Sequence, residues 1–285
     1  MISDITLVEC PRDAMQGWKH FIPTEKKIKY LNQLLKVGFD VLDFGSFVSP
    51  KAIPQMADTK EVLAGLDLGN NETKLLAIIA NLRGAQDAAQ FPEIDYLGFP
   101  FSISETFQLQ NTNKTIAQSL LQVEEIQKLC LQHNKKMVLY ISMGFGNPYG
   151  DEYSSEIAFK WFKQLADLGI EIIAMSDTVG MAQPENIKAI FSKLIPEFPC
   201  IQIGAHFHSN ASSWEEKIQS AYDSGCVRFD SSINGIGGCP MAQDELVGNI
   251  ATENIISWAQ QKNLNLKIKQ EEFDKAFFMA NEVFI

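Results

Sequence analysis

His206-Phe207-His208 closes an apolar run that begins at Ile201. In a strand, residues two apart project from the same face, so both imidazoles would leave one side of the chain together. Two convergent imidazoles suit a divalent metal. The chain has four histidines; the other two, His20 and His133, stand in helix-like or loop contexts. The pair would be equally at home in a polar loop, so the metal reading depends on the rest of the chain.

Arg12, Asp13 and Gln16 follow the first strand-like run. Asp13, His206, His208 and an amide oxygen would form a mixed nitrogen and oxygen donor set with open positions. Such a set suits Mg²⁺ or Mn²⁺ acting on a chelating oxygen substrate, and zinc also fits. Arg12, adjacent to Asp13, could hold a developing oxyanion; its alternative is a salt bridge to a carboxylate such as Asp43. Cys239 lies in Asn234-Gly235-Ile236-Gly237-Gly238-Cys239-Pro240, where a flexible backbone can present a thiol to a substrate. Its alternative is a buried, inert cysteine. Cys10 has strand neighbours and reads as buried, while Cys130, Cys200 and Cys226 read as packing residues.

Short β-branched runs alternate with amphipathic stretches along the whole chain. Strands are expected over residues 5–9, 41–44, 75–80, 96–101, 137–142, 171–176, 201–207 and 228–233. A helix-like segment follows each, most clearly at 24–36, 115–132, 155–168, 184–194, 213–224 and 252–261. In the first of these, Ile28, Leu31, Leu34 and Leu35 recur at helical spacing. Gly38, Gly169 and Gly225 stand where helices should stop. Eight such units close naturally into a (β/α)₈ TIM barrel, here with a short C-terminal helical extension around 270–282. The runner-up, an open doubly wound sheet, wants a GxGxxG turn after its first strand; Cys10-Pro11-Arg12-Asp13 stands there instead. With no linker or low-complexity tract, residues 1–285 read as one catalytic domain.

The polar residues gather at the C-terminal strand ends, where barrel enzymes place their chemistry. In strand order these are Arg12, Asp13 and Gln16; Asp43 and Ser46; Asn81 and Arg83; Ser104 and Glu105; Ser142; Ser176-Asp177-Thr178; His206 and His208; and Asn249 beyond the last. Any one of them could be merely solvated, but the coincidence across eight ends carries weight.

Composition narrows the function. A net charge of −11 disfavours nucleic acid, whose phosphates require a basic field. No apolar run approaches the roughly 20 residues of a membrane span, and the N-terminus lacks the pattern of a signal peptide; a cytoplasmic protein is expected. The five cysteines include no CxxC pair, so neither a structural zinc site nor a disulfide framework is indicated.

Several segments together resemble hydroxymethylglutaryl-CoA lyase, a family of metal-dependent lyase and aldolase barrels. They are Pro11-Arg12-Asp13-Ala14-Met15-Gln16, Ser46-Phe47-Val48-Ser49-Pro50-Lys51, Ser176-Asp177-Thr178-Val179-Gly180, His206-Phe207-His208 and Gly235-Ile236-Gly237-Gly238-Cys239-Pro240. Asn81-Leu82-Arg83-Gly84, Ser104-Glu105 and Gly248-Asn249 match as well. The resemblance implies divalent-cation-dependent cleavage of 3-hydroxy-3-methylglutaryl-CoA to acetyl-CoA and acetoacetate. It implies metal ligands Asp13, His206, His208 and Asn249, with Arg12 holding the enolate oxygen and Cys239 as an acid/base on a mobile loop. Asp43 and Asp177 would stand near the substrate hydroxyl, His206 would serve the chemistry as well as the metal, and Gln16, Ser46, Asn81 and Ser142 would line the substrate. A homodimer is the expected assembly.

The chain departs from the family pattern in places. Cys10 replaces a glycine, Val8 replaces a glutamate, and Asp43 is one methylene shorter than the usual glutamate. Glu9, by alternation, should face the other way from Val8. Two further readings therefore stand beside the first. One is a related barrel lyase or aldolase acting on another 3-hydroxyacyl-CoA or a 2-oxo-hydroxy acid; the other is a metal-binding barrel without catalysis.

Overall fold

A computed structural model describes residues 5–69, 71–238 and 247–285. Eight parallel strands pair in chain order: β1 (Thr6–Glu9), β2 (Val41–Ser46), β3 (Lys74–Ile78), β4 (Tyr96–Ser102), β5 (Lys136–Ser142), β6 (Ile172–Asp177), β7 (Gln202–Ser209) and β8 (Arg228–Ser231). β8 pairs back onto β1, from Thr6↔Arg228 to Glu9↔Ser231, and the barrel is closed. The expected strands all form, with ends shifted by a few residues. A two-residue strand, β9 (Gly248–Asn249), adds antiparallel to the end of β7 and sets Asn249 opposite His208.

The outer helices are α1 (Pro11–Gln16), α2 (Thr24–Val37), α3 (Thr59–Ala64), α4 (Leu82–Ala89), α5 (Glu105–Thr112), α6 (Ile116–Gln132), α7 (Ser155–Ala166), α8 (Pro184–Glu197), α9 (Trp214–Asp223), α10 (Thr252–Gln261) and α11 (Gln270–Val283). The expected C-terminal extension is α11, whose Phe273, Ala276 and Ala280 are buried; Phe273 packs edge-on to Phe39. The stop glycines Gly38, Gly169 and Gly225 all sit at positive φ. No described helix is long and apolar enough to cross a membrane.

Strand alternation sorts the side chains. Outward residues such as Leu7, Leu42, Leu75, Leu97 and Phe207 join the helices in one large core. Inward residues form a smaller cluster, including Val8, Cys10, Val41, Leu76, Val138, Tyr140 and Ile172. An interior of this kind is a packed core rather than a pore. Its upper layer turns polar, and the site is built there.

Candidate active site

α1 begins directly after β1 because Pro11 sits in its first turn, where the missing N–H is no loss and the fixed φ suits a helix. The helix turns Arg12 and Asp13 toward the C-terminal mouth. One turn on, Gln16 Oε1 accepts from Arg12 Nη1 at 2.8 Å, and Gln16 Nε2 donates to Asp13 Oδ1 at 2.9 Å. Arg12 clamps Asp43 on β2 with two nitrogens, Nη2 to Oδ2 at 2.6 Å and Nε to Oδ2 at 3.0 Å, and its Nη1 reaches Asp13 Oδ1 at 3.0 Å. The salt bridge considered from sequence forms, and Arg12 still lines the cavity.

Asp13, His206 and His208 each offer a ligand atom, and these atoms lie within 4.8 Å of one another. The hydrogen bonds fix which imidazole nitrogens are offered. His206 Nδ1 meets Asp230 Oδ2 at 3.1 Å, and His208 Nδ1 meets the Thr178 carbonyl at 2.8 Å. A carbonyl accepts only, so His208 Nδ1 carries the proton and Nε2 keeps a lone pair. That Nε2 is buried and has no hydrogen-bond partner. An orphaned buried acceptor beside a carboxylate and a second imidazole is what a divalent cation would complete, and orienting partners on the far ring nitrogens are usual at metal sites. The donor set fits such an ion.

Asn249 closes the group from β9. Its Nδ2 donates to Asp13 Oδ2 at 2.7 Å and to the Ile236 carbonyl at 3.0 Å, leaving Oδ1 as its free acceptor. The loop after β8 presses against this pair. Gly237 has φ +109°, and a β-carbon there would lie 2.5 Å from Asn249 Nδ2 and 2.9 Å from Asp13 Oδ2. Only glycine fits.

The charges are interdependent. Burial opposes ionisation of Asp13, but Arg12, His206 and His208 hold its pKa below the ordinary value. Burial opposes charge on His206 too; Asp230 and Asp13 outweigh it and raise the pKa. His208 is lowered by burial and by His206. Burial lifts Asp43 to about 6, against the pull of Arg12.

A cavity of about 440 Å³ opens above these residues, lined by Arg12, Asp13, Gln16, Asp43, Ser142, His206 and His208. Not every residue expected from sequence reaches it. Asp177 is buried on the other face of β6, accepting from Lys217 Nζ at 2.7 Å and the Ala182 amide at 3.1 Å, so strand alternation gives the cavity Ser176 instead. Ser46 accepts from the Val48 amide, and Asn81 caps α4 by accepting from Gly84; neither lines the cavity. Cys239 lies outside the described residues. Cys200 is exposed rather than packed. Cys10 is buried as expected, yet lines the cavity floor beside His206 and Asp230.

Two contributors escaped the sequence reading. Asp230 was readable, since it alternates with the apolar Phe229 on β8 and must face inward. The Thr178 carbonyl leaves no trace in sequence, because every residue carries one.

The HMGL-like family matches residues 2–277. The chain belongs to that family. The hydroxymethylglutaryl-CoA lyase YngG of Bacillus subtilis is 32% identical over 262 residues, which span 92% of this chain and 87% of that protein. The human cytoplasmic 3-hydroxy-3-methylglutaryl-CoA lyase is 32% identical over 90% of this chain and 68% of its own. An HMG-CoA lyase from Acinetobacter baumannii, solved in complex with coenzyme A and 3-methylmalate, superposes with a TM-score of 0.91 at 31% identity, covering 99% of this chain and 91% of that one. The carboxyl transferase domain of Rhizobium etli pyruvate carboxylase is a more distant likeness, sharing the fold alone at 14% identity and a TM-score of 0.72.

Proposed function

We propose that this HMGL-like protein is a divalent-cation-dependent carbon–carbon lyase that cleaves 3-hydroxy-3-methylglutaryl-CoA to acetyl-CoA and acetoacetate. The observation that carries the reading is the orphaned His208 Nε2, converging with Asp13 and His206 beside the Arg12–Asp43 pair. Asp13, His206, His208 and the free Oδ1 of Asn249 would hold the cation, and their mixed donors favour Mg²⁺ or Mn²⁺. When bound, the ion supplies Lewis acidity that makes a tertiary hydroxyl easier to deprotonate.

The chain's own groups account for the rest. Cleavage requires loss of the hydroxyl proton, passage of the C–C electron pair to the thioester α-carbon, and protonation of that carbon. Asp43, with a pKa lifted to about 6, is ionised at neutral pH yet basic enough to accept the hydroxyl proton. Arg12 faces the same cavity and can stabilise the thioester enolate oxygen as negative charge moves there. Asp230 and the Thr178 carbonyl keep the two rings turned toward the mouth. Gln16 fixes the Arg12 fork, and Ser142 offers a hydroxyl to the substrate. Asp177, held by Lys217, acts by shaping the turn after β6 rather than by touching substrate. Cys239 is our candidate for protonating the α-carbon.

Incubation of the purified chain with Mg²⁺ and 3-hydroxy-3-methylglutaryl-CoA should release acetoacetate. Metal binding without turnover of that thioester would overturn the reading.

A further inference from the structure

The opposite end of the barrel holds a larger cavity, of about 690 Å³, formed where six strands begin at Thr6, Val41, Lys74, Tyr96, Gln202 and Arg228. Its cationic side chains outnumber its carboxylates five to three, in a chain whose net charge is −11. Arg228 is the centre of interest. It is 1% exposed, and its Nε and Nη2 are buried with no hydrogen-bond partner. Among the described residues, the one bond its guanidinium makes is from Nη1 to Gln202 Oε1, at 3.3 Å. No carboxylate among the described residues pairs with it, and an arginine cannot shed its proton to escape burial.

The barrel wall makes room for this side chain. Gly204 stands beside Arg228 in the β7–β8 register, and a β-carbon on Gly204 would sit 3.0 Å from Arg228 Cδ and 3.4 Å from Nε. Glycine therefore lets the guanidinium lie across the inner wall beneath the cavity. Gln202 covers it from the cavity side, with its Nε2 reaching Thr6 Oγ1 at a long 3.4 Å. The cover is weak: Gln202 is exposed, and its two bonds are both near the limit of hydrogen bonding.

We infer that the N-terminal mouth of the barrel is a second ligand site, which binds a small molecule through a phosphate or carboxylate group taken up by Arg228 when Gln202 swings aside. Lys74, Lys267 and Lys269 at the rim attract the anion, and the Arg228 fork receives it with paired donors. The site lies at the far end of the barrel from the Asp13–His206–His208 cluster and does not depend on the activity proposed above.

The test is a thermal-unfolding titration of the full chain at constant ionic strength with sodium phosphate, sodium acetate or sodium chloride. The expected result is a saturable rise in Tm with an oxyanion but not with chloride. Saturation at lower phosphate than acetate points to a phosphate-bearing ligand, and the reverse order to a carboxylate. Gln202→Glu places a carboxylate against Arg228 and should weaken the response by about tenfold or more. Arg228→Met should abolish it; if that variant does not fold, Gln202→Glu decides. Arg12→Met, altered at the other mouth, should respond like the parent chain. The inference fails if neither oxyanion saturates, if the Gln202→Glu response is unchanged, or if Arg12→Met loses it.

Discussion

Arg12 contacts Asp43 through Nε and Nη2, and both Asp13 and Gln16 through Nη1, within one planar group. A lysine keeps the charge but cannot hold three partners in that geometry. Arg12→Lys should therefore lower kcat by about 100-fold or more, as for loss of an oxyanion donor, while metal content measured by elemental analysis stays at the parent level. A lysine variant with near-parent turnover would remove Arg12 from the chemical step. At this scale much of the site was legible, because Asp13, His206 and His208 are types that bind metals at positions a strand must bring together. Asp177 shows where that reading failed. One step of alternation separates it from Ser176, and a boundary placed from composition does not fix which of the two faces inward. The Lys217 that occupies Asp177 comes from α9, at a sequence distance no local pattern reports.

Glu9 shows how an element holds the site in place. As alternation implies, it faces away from the barrel interior, and it is fully buried between β1, the loop after β8 and the start of α10. It accepts from the Ile233 amide at 3.0 Å and the Thr252 hydroxyl at 2.5 Å. Burial, partly offset by these bonds, lifts its pKa from 4.5 to about 8. The folded chain thus holds this proton more tightly than the unfolded one, so stability falls as pH rises from 4.5 toward 8. Glu9→Gln removes the ionisation, and should flatten that decline and stabilise the chain at pH 8 by on the order of 2–4 kcal/mol. Denaturant midpoints at pH 5 and pH 8 would check it; an equal change at both would show that packing rather than charge governs the site. The loop that Glu9 anchors then reaches Gly237. Gly237→Ala forces a β-carbon into Asn249 and Asp13 and should cost metal affinity about 10- to 100-fold, as disturbing the groups that orient metal ligands does, with the far-ultraviolet circular dichroism unchanged. The glycines after β8 suggested loop mobility from sequence. In the structure Gly237 is also a contact, a role that becomes visible only once Asn249 is placed against the loop by a strand of two residues, too short for any periodicity to reveal.

Across the whole molecule, the barrel was readable because strands buried on both faces are written as apolar runs and their helices as amphipathic ones, repeated eight times. The short elements at the mouth were not. The six-residue α1 and two-residue β9 carry Asp13 and Asn249, and both are too brief to show a period. Closure explains why such small pieces matter. Asp13 stands just after β1, while the histidines lie on β7 and Asn249 on β9, so the cluster bridges the two ends of the chain across the β8–β1 seam. A cation held there would join the first strand to the last ones, in addition to the backbone bonds of that seam. Because the unfolded chain offers no such cluster, binding should stabilise the closed barrel by about 2.7 kcal/mol at a free ion concentration roughly 100 times Kd. Thermal unfolding in EDTA and in excess Mn²⁺ should then differ by several degrees. The gap should vanish in His208→Ala, whose remaining donors no longer surround the ion. A gap that persists in that variant would place the stabilising cation elsewhere on the chain.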